Sequence, residues 1–125
     1  MLSILLVGAK QHHDSLKACF AAQSNRVQCC QSAGEARRLL LQTAFDCVII
    51  NAPLPDEFGK DLAQKALQLG CEAVLLCNAA QREQLAAGVE KYGVFVLTKP
   101  LNRQLLSFSM GLIRTGRYRT NALRE

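Results

Sequence analysis

The residues of this sequence that could do chemistry stand where short apolar runs end. They are Asn51, Cys77, Lys99 and the pair Gly8-Ala9. An amide is neither an acid, a base nor a useful nucleophile. The strand ends also carry no carboxylate pair, no nucleophile beside a base and no histidine. By residue type this is therefore a poor catalytic set.

Two histidines lie nearby, where the first loop enters a helix. His12 and His13 have no carboxylate or cysteine in register with them, so we interpret them as surface or capping residues. Asp14 and Ser15 are predicted to cap the helix that follows.

The elements that must position these residues alternate between short apolar runs and amphipathic stretches of helical length. One stretch, at 32–43, opens with Ser32 and Glu35 in the spacing of a capping box. Another follows Asn78, a predicted N-cap, and the last follows Pro100. The predicted strands are 3–8, 26–31, 46–50, 73–77 and 93–98.

Strand–helix units of this size predict an α/β fold, (βα)5, with a doubly wound parallel five-stranded sheet and helices on both faces. The first, third and fourth runs are almost wholly apolar, as expected for strands that are covered on both sides. The second is more polar and is predicted to lie at an edge. Such folds place their sites at the carboxyl ends of the strands, where the residues named above should meet.

Length and composition limit the function classes. The 125 residues form one domain with room for a core, and no apolar run is long enough for a membrane span. The apolar start at 1–8 lacks the basic residues of a signal peptide, so we interpret it as the first strand of a cytoplasmic protein.

The six cysteines show no C-x-x-C spacing, and no histidine follows at zinc-finger distance. We therefore predict no metal site and no cofactor, and expect reduced thiols that pack mainly as small buried hydrophobes.

Positive charge is concentrated at the carboxyl terminus. Residues 101–125 carry five arginines against Glu125 alone, which is four of the five net positive charges. We interpret this end as a solvated helix end or connector. The alternative is direct binding of RNA or DNA by residues 114–124.

Four motifs in order resemble the receiver domains of bacterial two-component response regulators. They are "ILLVGAK" in the first strand, "VIINAPLPDEFG" around the third, "AVLLCNA" in the fourth and "VLTKP" after the fifth. The resemblance covers residues 3–113 and implies a flavodoxin-like strand order of 2-1-3-4-5.

Working receivers transfer a phosphoryl group onto their own aspartate, with Mg²⁺ held by further acids. In the resemblance Asn51 stands at the phospho-acceptor position, and Gly8 and Ala9 stand where the acidic pair should be. Asp56 and Glu57 follow in the loop, and we expect them to face solvent or to start the third helix.

The residues that read the phosphate also depart from the family pattern. Cys77 replaces the Ser/Thr switch residue and Val96 replaces the aromatic that moves with it, whereas Lys99 and Pro100 keep their identities. We expect Lys99 to donate a hydrogen bond to Asn51 or to a loop carbonyl and to stay largely solvated. The alternative is a lysine kept only because Lys-Pro shapes the turn, with a cis peptide.

These departures imply a non-catalytic, phosphorylation-independent pseudo-receiver that regulates through protein contacts. Three alternatives stay open: a receiver that is phosphorylated on Asp56 or another acid, a stand-alone interaction module, and a flavodoxin-like domain that binds a nucleotide or flavin at the first turn. The last is disfavoured because "VGAKQHHDS" contains a single glycine and no phosphate-binding motif.

A narrower resemblance is to the pseudo-receivers that precede ANTAR domains, which are RNA-binding modules of transcription antiterminators. It rests on "SAGEARRLL", "INAPLPDEFG" and "TKPLNRQLL". It implies a receiver-like domain at 1–115, a basic helix end or connector at 116–125, and RNA contact only through a domain outside these residues.

The last predicted helix offers a contact surface for a homodimer or a regulatory partner. Leu105, Phe108 and Leu112 recur at three-and-four spacing, although ordinary core packing of an amphipathic helix explains the same spacing. No membrane contact and no small-molecule substrate are expected.

Overall fold

A parallel sheet forms the centre of the molecule. In a computed structural model that describes residues 2–21, 25–83, 93–101 and 103–115, five strands pair in the order β2-β1-β3-β4-β5. Every pair is parallel. The predicted fold class, strand order and edge position of the second strand are confirmed. The strands are β1 (Ser3–Val7), β2 (Arg26–Cys30), β3 (Cys47–Asn51), β4 (Glu72–Cys77) and β5 (Phe95–Thr98).

Four helices accompany the sheet in the described residues. They are α1 (His13–Ala21), α2 (Ala33–Gln42), α3 (Lys60–Gln68) and α4 (Arg103–Thr115), with 3-10 turns at Lys10–His12 and Ala79–Gln81. Most of the helix predicted after Asn78 lies outside the described residues.

The predicted caps have different outcomes. Ser32 is the N-cap of α2 and its side chain accepts a hydrogen bond from the Glu35 amide at 3.2 Å, which confirms the first half of the predicted capping box. The second half is wrong, because the Glu35 carboxylate accepts from the Gln31 amide at 3.4 Å and not from the Ser32 amide. The cap predicted at Asn78 is wrong at the side chain, which makes no capping hydrogen bond. Its backbone carbonyl instead accepts from the Gln81 amide at 3.0 Å, which closes the short turn.

The sheet buries side chains on both faces. Leu5, Val48 and Leu75 point into one core, which residues of α2 and α3 complete. Ile4 and Ile49 point into the other, together with residues of α1 and α4. Burial of each aliphatic side chain contributes roughly 1.5–3 kcal/mol to the stability of the fold. Packing on both faces of the sheet therefore holds the strand ends in fixed positions. The prediction that β1, β3 and β4 are covered on both faces is confirmed.

Most of the cysteines belong to these cores. Cys30, Cys47, Cys71 and Cys77 are buried, Cys29 is half-buried and Cys19 is exposed, and none of the six forms a disulfide. Burial raises the pKa of Cys30 to about 12 and also raises the pKa of Cys47 and Cys77. These thiols are therefore protonated at neutral pH and pack as hydrophobes.

None of the helices in the described part of the chain has the length and apolar character needed to cross a membrane.

Candidate functional site

Asn51 stands at the centre of the carboxyl edge of the sheet. It is the last residue of β3, pairs in register with Leu76 of β4, and is 8% exposed. The apolar run before it is buried against both layers of helices, so the strand delivers a polar side chain directly to the edge where β4 and β5 also end.

Lys99 reaches Asn51 from the end of β5. Its Nζ donates hydrogen bonds to Asn51 Oδ1 and to the Ala52 carbonyl oxygen, both at 3.0 Å. The predicted contact is confirmed, and both proposed acceptors are used. The side chain is half-buried rather than largely solvated, which corrects that part of the expectation.

The backbone around Lys99 is also fixed. Its amide donates to the Cys77 carbonyl oxygen at 2.8 Å, so β5 continues along β4 for one residue beyond its last strand position. The Lys99–Pro100 peptide is cis, as is Ala52–Pro53. From the sequence, the Lys99–Asn51 hydrogen bond and the turn with a cis Lys-Pro peptide are alternative explanations for Lys99. The structure contains both.

Gly8 packs directly against Asn51. A Cβ atom added at Gly8 would lie 2.9 Å from Asn51 Cβ, closer than real Cβ contacts allow. The glycine thus permits β1 and β3 to approach at this edge. Ala9, the next residue, is exposed and carries no ligand atom in its side chain. Among the described residues no group of three or more His, Cys, Asp or Glu could hold a metal ion.

Cys77 and Val96 are both buried. Burial raises the pKa of the Cys77 thiol, and the positive charges of Arg82 and Lys99 oppose that rise only in part. A neutral buried thiol is a poor nucleophile, so Cys77 contributes packing at the position where the resemblance expects a hydroxyl.

His13 connects the ends of β1 and β2. Its Nε2 lies 2.7 Å from the Gly8 carbonyl oxygen and 3.2 Å from that of Cys30. Both partners are acceptors, so Nε2 carries the proton. The Gly8 amide donates to the same Cys30 oxygen at 3.0 Å. This role goes beyond the predicted surface or capping position, whereas His12 is exposed as expected.

Asp56 neither serves the site nor starts the third helix. Although exposed, it accepts hydrogen bonds from the first backbone amides of α2: Ala33 donates to Oδ1 at 2.9 Å and Gly34 to Oδ2 at 3.0 Å. The bond from Ala33, then that from Gly34, lowers the pKa of the carboxyl. Asp56 is exposed, as expected, and the loop after β3 also caps the neighbouring helix through it, a role that the sequence did not indicate.

Glu57 ties the same loop to two helices. Its Oε1 accepts from the Leu62 amide at 3.0 Å, and its Oε2 pairs with the Arg37 guanidinium at 2.8 Å. Both carboxylates of the loop, those of Asp56 and Glu57, are therefore already bonded to groups at the start of α2 or α3 or to the Arg37 side chain of α2. Neither is left to serve the pocket at Asn51.

The lowered pKa of Asp56 has a consequence for stability. A carboxyl whose pKa is lower in the folded protein stabilises the fold fully above its ordinary value of 3.8, and that stabilisation is lost as the pH falls through the folded pKa. We therefore expect Asp56→Ala to destabilise the protein at neutral pH and to have a shrinking effect below about pH 4. Urea unfolding at stepwise pH measures this.

Asp61→Ala serves as the control for this series. Asp61 is exposed in the first turn of α3 and accepts no hydrogen bond from the described residues. A difference between wild type and Asp56→Ala that stays constant from neutral to acidic pH would contradict the capping role.

The predicted contact residues of the last helix are placed unequally. Phe108 is 63% exposed, so the core-packing alternative is wrong for this residue. Leu112 is half-buried, and the side chain of Leu105 lies outside the described residues. The face of α4 that enters the core instead carries Ser109, Met110 and Ile113.

The sequence matches no protein-family model and no curated protein. Solved structures do match. A response regulator receiver domain protein from Clostridium thermocellum superposes with a TM-score of 0.82 at 20% identity, covering 94% of this chain and 97% of that one. A two-component response regulator from Clostridium difficile gives 0.79 at 19% identity, covering 92% and 97%.

A third similar structure belongs to a family of redox sensors in the streptococci that evolved from two-component response regulators. Its TM-score is 0.79 at 22% identity, and the match covers 94% of this chain and 52% of that one. Identities of this size establish architecture. The chain has the fold of the receiver domains of response regulators.

Proposed function

We propose that this chain is a non-catalytic regulatory domain, a pseudo-receiver that works without phosphorylation and acts through protein contacts. The observation that carries the proposal is the hydrogen bond from Lys99 to Asn51, at an edge of the sheet where no group of three or more His, Cys, Asp or Glu among the described residues could hold a metal ion. A receiver needs an ionised carboxylate as nucleophile and acids for Mg²⁺, and the edge supplies a neutral amide and an ammonium group.

The packing and the charge around Asn51 also oppose the binding of Mg²⁺. Gly8 and Asn51 approach so closely that an acid at position 8 would require Asn51 to move. The Lys99 ammonium lies where a cation would have to approach the acceptor oxygen, and like charges repel. Both features oppose magnesium binding.

Asp56 is a poor substitute nucleophile. Both of its oxygens accept backbone hydrogen bonds from α2, so attack on phosphorus would uncap that helix. The same bonds favour the ionised, hydrogen-bonded carboxylate, which is less nucleophilic than an unbonded one. We therefore rank phosphorylation on Asp56 below the pseudo-receiver.

Intact mass after incubation with a small phosphodonor and Mg²⁺ tests the proposal. We expect no mass increase for the wild-type chain, and none for Asn51→Asp, because Gly8 and Ala9 still supply no acid for the metal. A working receiver treated in parallel shows that the donor is active. A phosphoryl adduct that maps to Asp56 would overturn the proposal.

Redox sensing through a cysteine thiol, which the structural similarity to the streptococcal redox sensors raises, is a weaker candidate here. Cys30, Cys47 and Cys77 are buried with raised pKa values, and Cys19 is the only exposed cysteine. A sensing thiol needs thiolate character together with exposure, and no second cysteine of the set shares the exposure of Cys19.

For the partner, we propose a second copy or a regulatory protein that contacts α4 at Phe108, with control of a downstream ANTAR domain that binds RNA. The exposed aromatic ring supports the first part, and the basic residues at 116–125 suit a connector. The mass of the native gene product compared with 13.7 kDa tests the second part. A product that ends at Glu125 would remove the RNA role.

A further inference from the structure

We propose that a second copy of this chain adds its strand β2, antiparallel, to the open edge of β2, so that one sheet continues through both copies across a twofold axis at Gln28. The inference goes beyond the proposed function, because the pairing uses no residue of the pocket at Asn51. It is carried by the backbone hydrogen-bonding groups that β2 leaves unpaired at the edge of the sheet.

Strand β2 has one neighbour in the sheet. It stands first in the strand order, and β1 pairs with it in parallel. The Arg26 amide donates to the Leu2 carbonyl oxygen at 2.9 Å, and the Cys30 carbonyl oxygen accepts from the Gly8 amide at 3.0 Å. Arg26 and Cys30 therefore turn their backbone groups toward the β1 side.

The residues between them alternate in direction. Backbone N–H and C=O groups of successive strand residues point to opposite edges, so Gln28 also faces β1. Val27 and Cys29 direct their two N–H and two C=O groups away from the sheet. No described residue donates to or accepts from these outward groups. Beyond the strand, the Gln31 amide already donates to a carboxylate, that of Glu35, at 3.4 Å.

A second β2 satisfies this edge in an antiparallel register centred on Gln28. Val27 then lies opposite Cys29 of the second copy, and Cys29 lies opposite Val27 of the second copy. Each hydrogen-bonded pair of an antiparallel ladder exchanges two bonds, so the two pairs use all the outward groups of both strands. A register centred on Val27 or on Cys29 would pair that residue with itself and leave the other opposite a residue outside the strand.

Strand β2 also lacks the features with which edge strands prevent such pairing. Its sequence, Arg-Val-Gln-Cys-Cys, contains no proline, lysine or acid, and its register with β1 has no bulge. Gln28 is exposed, and Val27 and Cys29 are only half-buried against the core on the α1 side. The edge is therefore accessible to another strand.

The charges fit a second copy in this register. Arg26 is the one charged residue of β2, and it lies opposite the neutral Cys30 of the second copy. The two Arg26 residues are four strand positions apart, roughly 13 Å, so they repel each other weakly. At the axis Gln28 meets Gln28, and two side-chain amides can exchange hydrogen bonds there.

Disulfide cross-linking of the full chain tests the position of the axis. The two Gln28 residues form a non-hydrogen-bonded pair with Cα atoms about 4.5 Å apart, which is within the range of a disulfide. In a Cys19→Ser background, which removes the exposed thiol, Gln28→Cys should form a covalent dimer with the oxidant diamide. Gln68→Cys changes an exposed glutamine at the end of α3 and should remain monomeric.

Sedimentation equilibrium of the reduced protein measures the association without a cross-link. We expect a monomer–dimer equilibrium that Gln28→Lys weakens by about tenfold, because like charges then face each other at the axis and the amide pair is lost. Val27→Pro should weaken it by a similar factor, since proline lacks the outward N–H, which the ladder with β1 does not use. Gln68→Lys adds the same charge on α3 and should associate like wild type.

A wild-type chain that is monomeric at about 1 mM would overturn the inference, because a complex of even millimolar affinity is populated there. Equal cross-linking of Gln28→Cys and Gln68→Cys would also overturn it. So would a dimer that Phe108→Ser abolishes and Gln28→Lys leaves intact, since the second copy would then bind α4. None of these results changes the outcome of the phosphodonor experiment, so failure of the inference and failure of the proposed function are distinguishable.

Discussion

Replacing Gly59 with alanine is expected to lower the free energy of unfolding by about 3 kcal/mol, since a strained backbone and an overpacked core add together. Gly59 has a φ of +105°, and a Cβ added there would lie 2.7 Å from Ile50 Cγ2 and 3.2 Å from Leu75 Cδ1. Ile50 and Leu75 are fully buried strand residues that cannot yield easily. Urea unfolding of the purified variant measures the loss.

Two other glycines separate the causes. Gly70 has a φ of +84° but nothing within 4 Å of its added Cβ, so Gly70→Ala should cost only the conformational part, about 1 kcal/mol. Gly111 lies inside α4 with open space around it, and Gly111→Ala should stabilise the protein by about 0.5–1 kcal/mol. If Gly59→Ala and Gly70→Ala cost the same, the close packing of Gly59 against the sheet is contradicted.

The sheet could be predicted because its buried strands are short runs of almost wholly apolar residues. The apolar runs that contain β1, β3 and β4 are too short for helices and are buried on both faces, so almost every residue must be apolar. Their carboxyl ends then have to share one edge. That geometry is enough to predict that Lys99 reaches Asn51 across 48 positions of sequence.

The roles of the loop carboxylates could not be predicted in the same way. Asp56 caps a helix whose first amides lie 23 and 22 positions earlier, and no local spacing signals such a contact. The cap that Ser32 makes to the Glu35 amide at the same helix joins residues only three positions apart, so the sequence pattern predicts it. The acid five residues before Leu62 is the one nearby signal, because Glu57 lies just ahead of α3.

Helical periodicity alone could not orient the last helix. The spacing of Leu105, Phe108 and Leu112 defines a stripe, but α4 buries Ser109, Met110 and Ile113 instead. A buried serine among the core residues hides the true face from a count of apolar side chains. The exposed position of Phe108 therefore became visible only in the packed structure.

Replacing Lys99 with methionine is expected to lower the free energy of unfolding by about 2 kcal/mol. The length and apolar stem of the side chain are kept, but Asn51 Oδ1 and the Ala52 carbonyl oxygen lose the donor that satisfies them. Asn51 is 8% exposed and Ala52 is 1% exposed, so water replaces the lost bonds poorly. Denaturant unfolding gives the difference, and Lys65→Met on α3 is the matched control, with an expected change within about 0.5 kcal/mol.

A second substitution isolates the bond between the two side chains. Asn51→Leu replaces the amide with an apolar group of similar size. In that background Lys99→Met leaves only the Ala52 carbonyl oxygen without its hydrogen-bond donor. The double variant should therefore recover about 1 kcal/mol relative to the sum of the single changes. Strict additivity would mean that the Lys99–Asn51 bond contributes nothing to stability. Lys99 would then be kept for the shape of its turn, and the pseudo-receiver proposal would lose the fixed amide on which it depends.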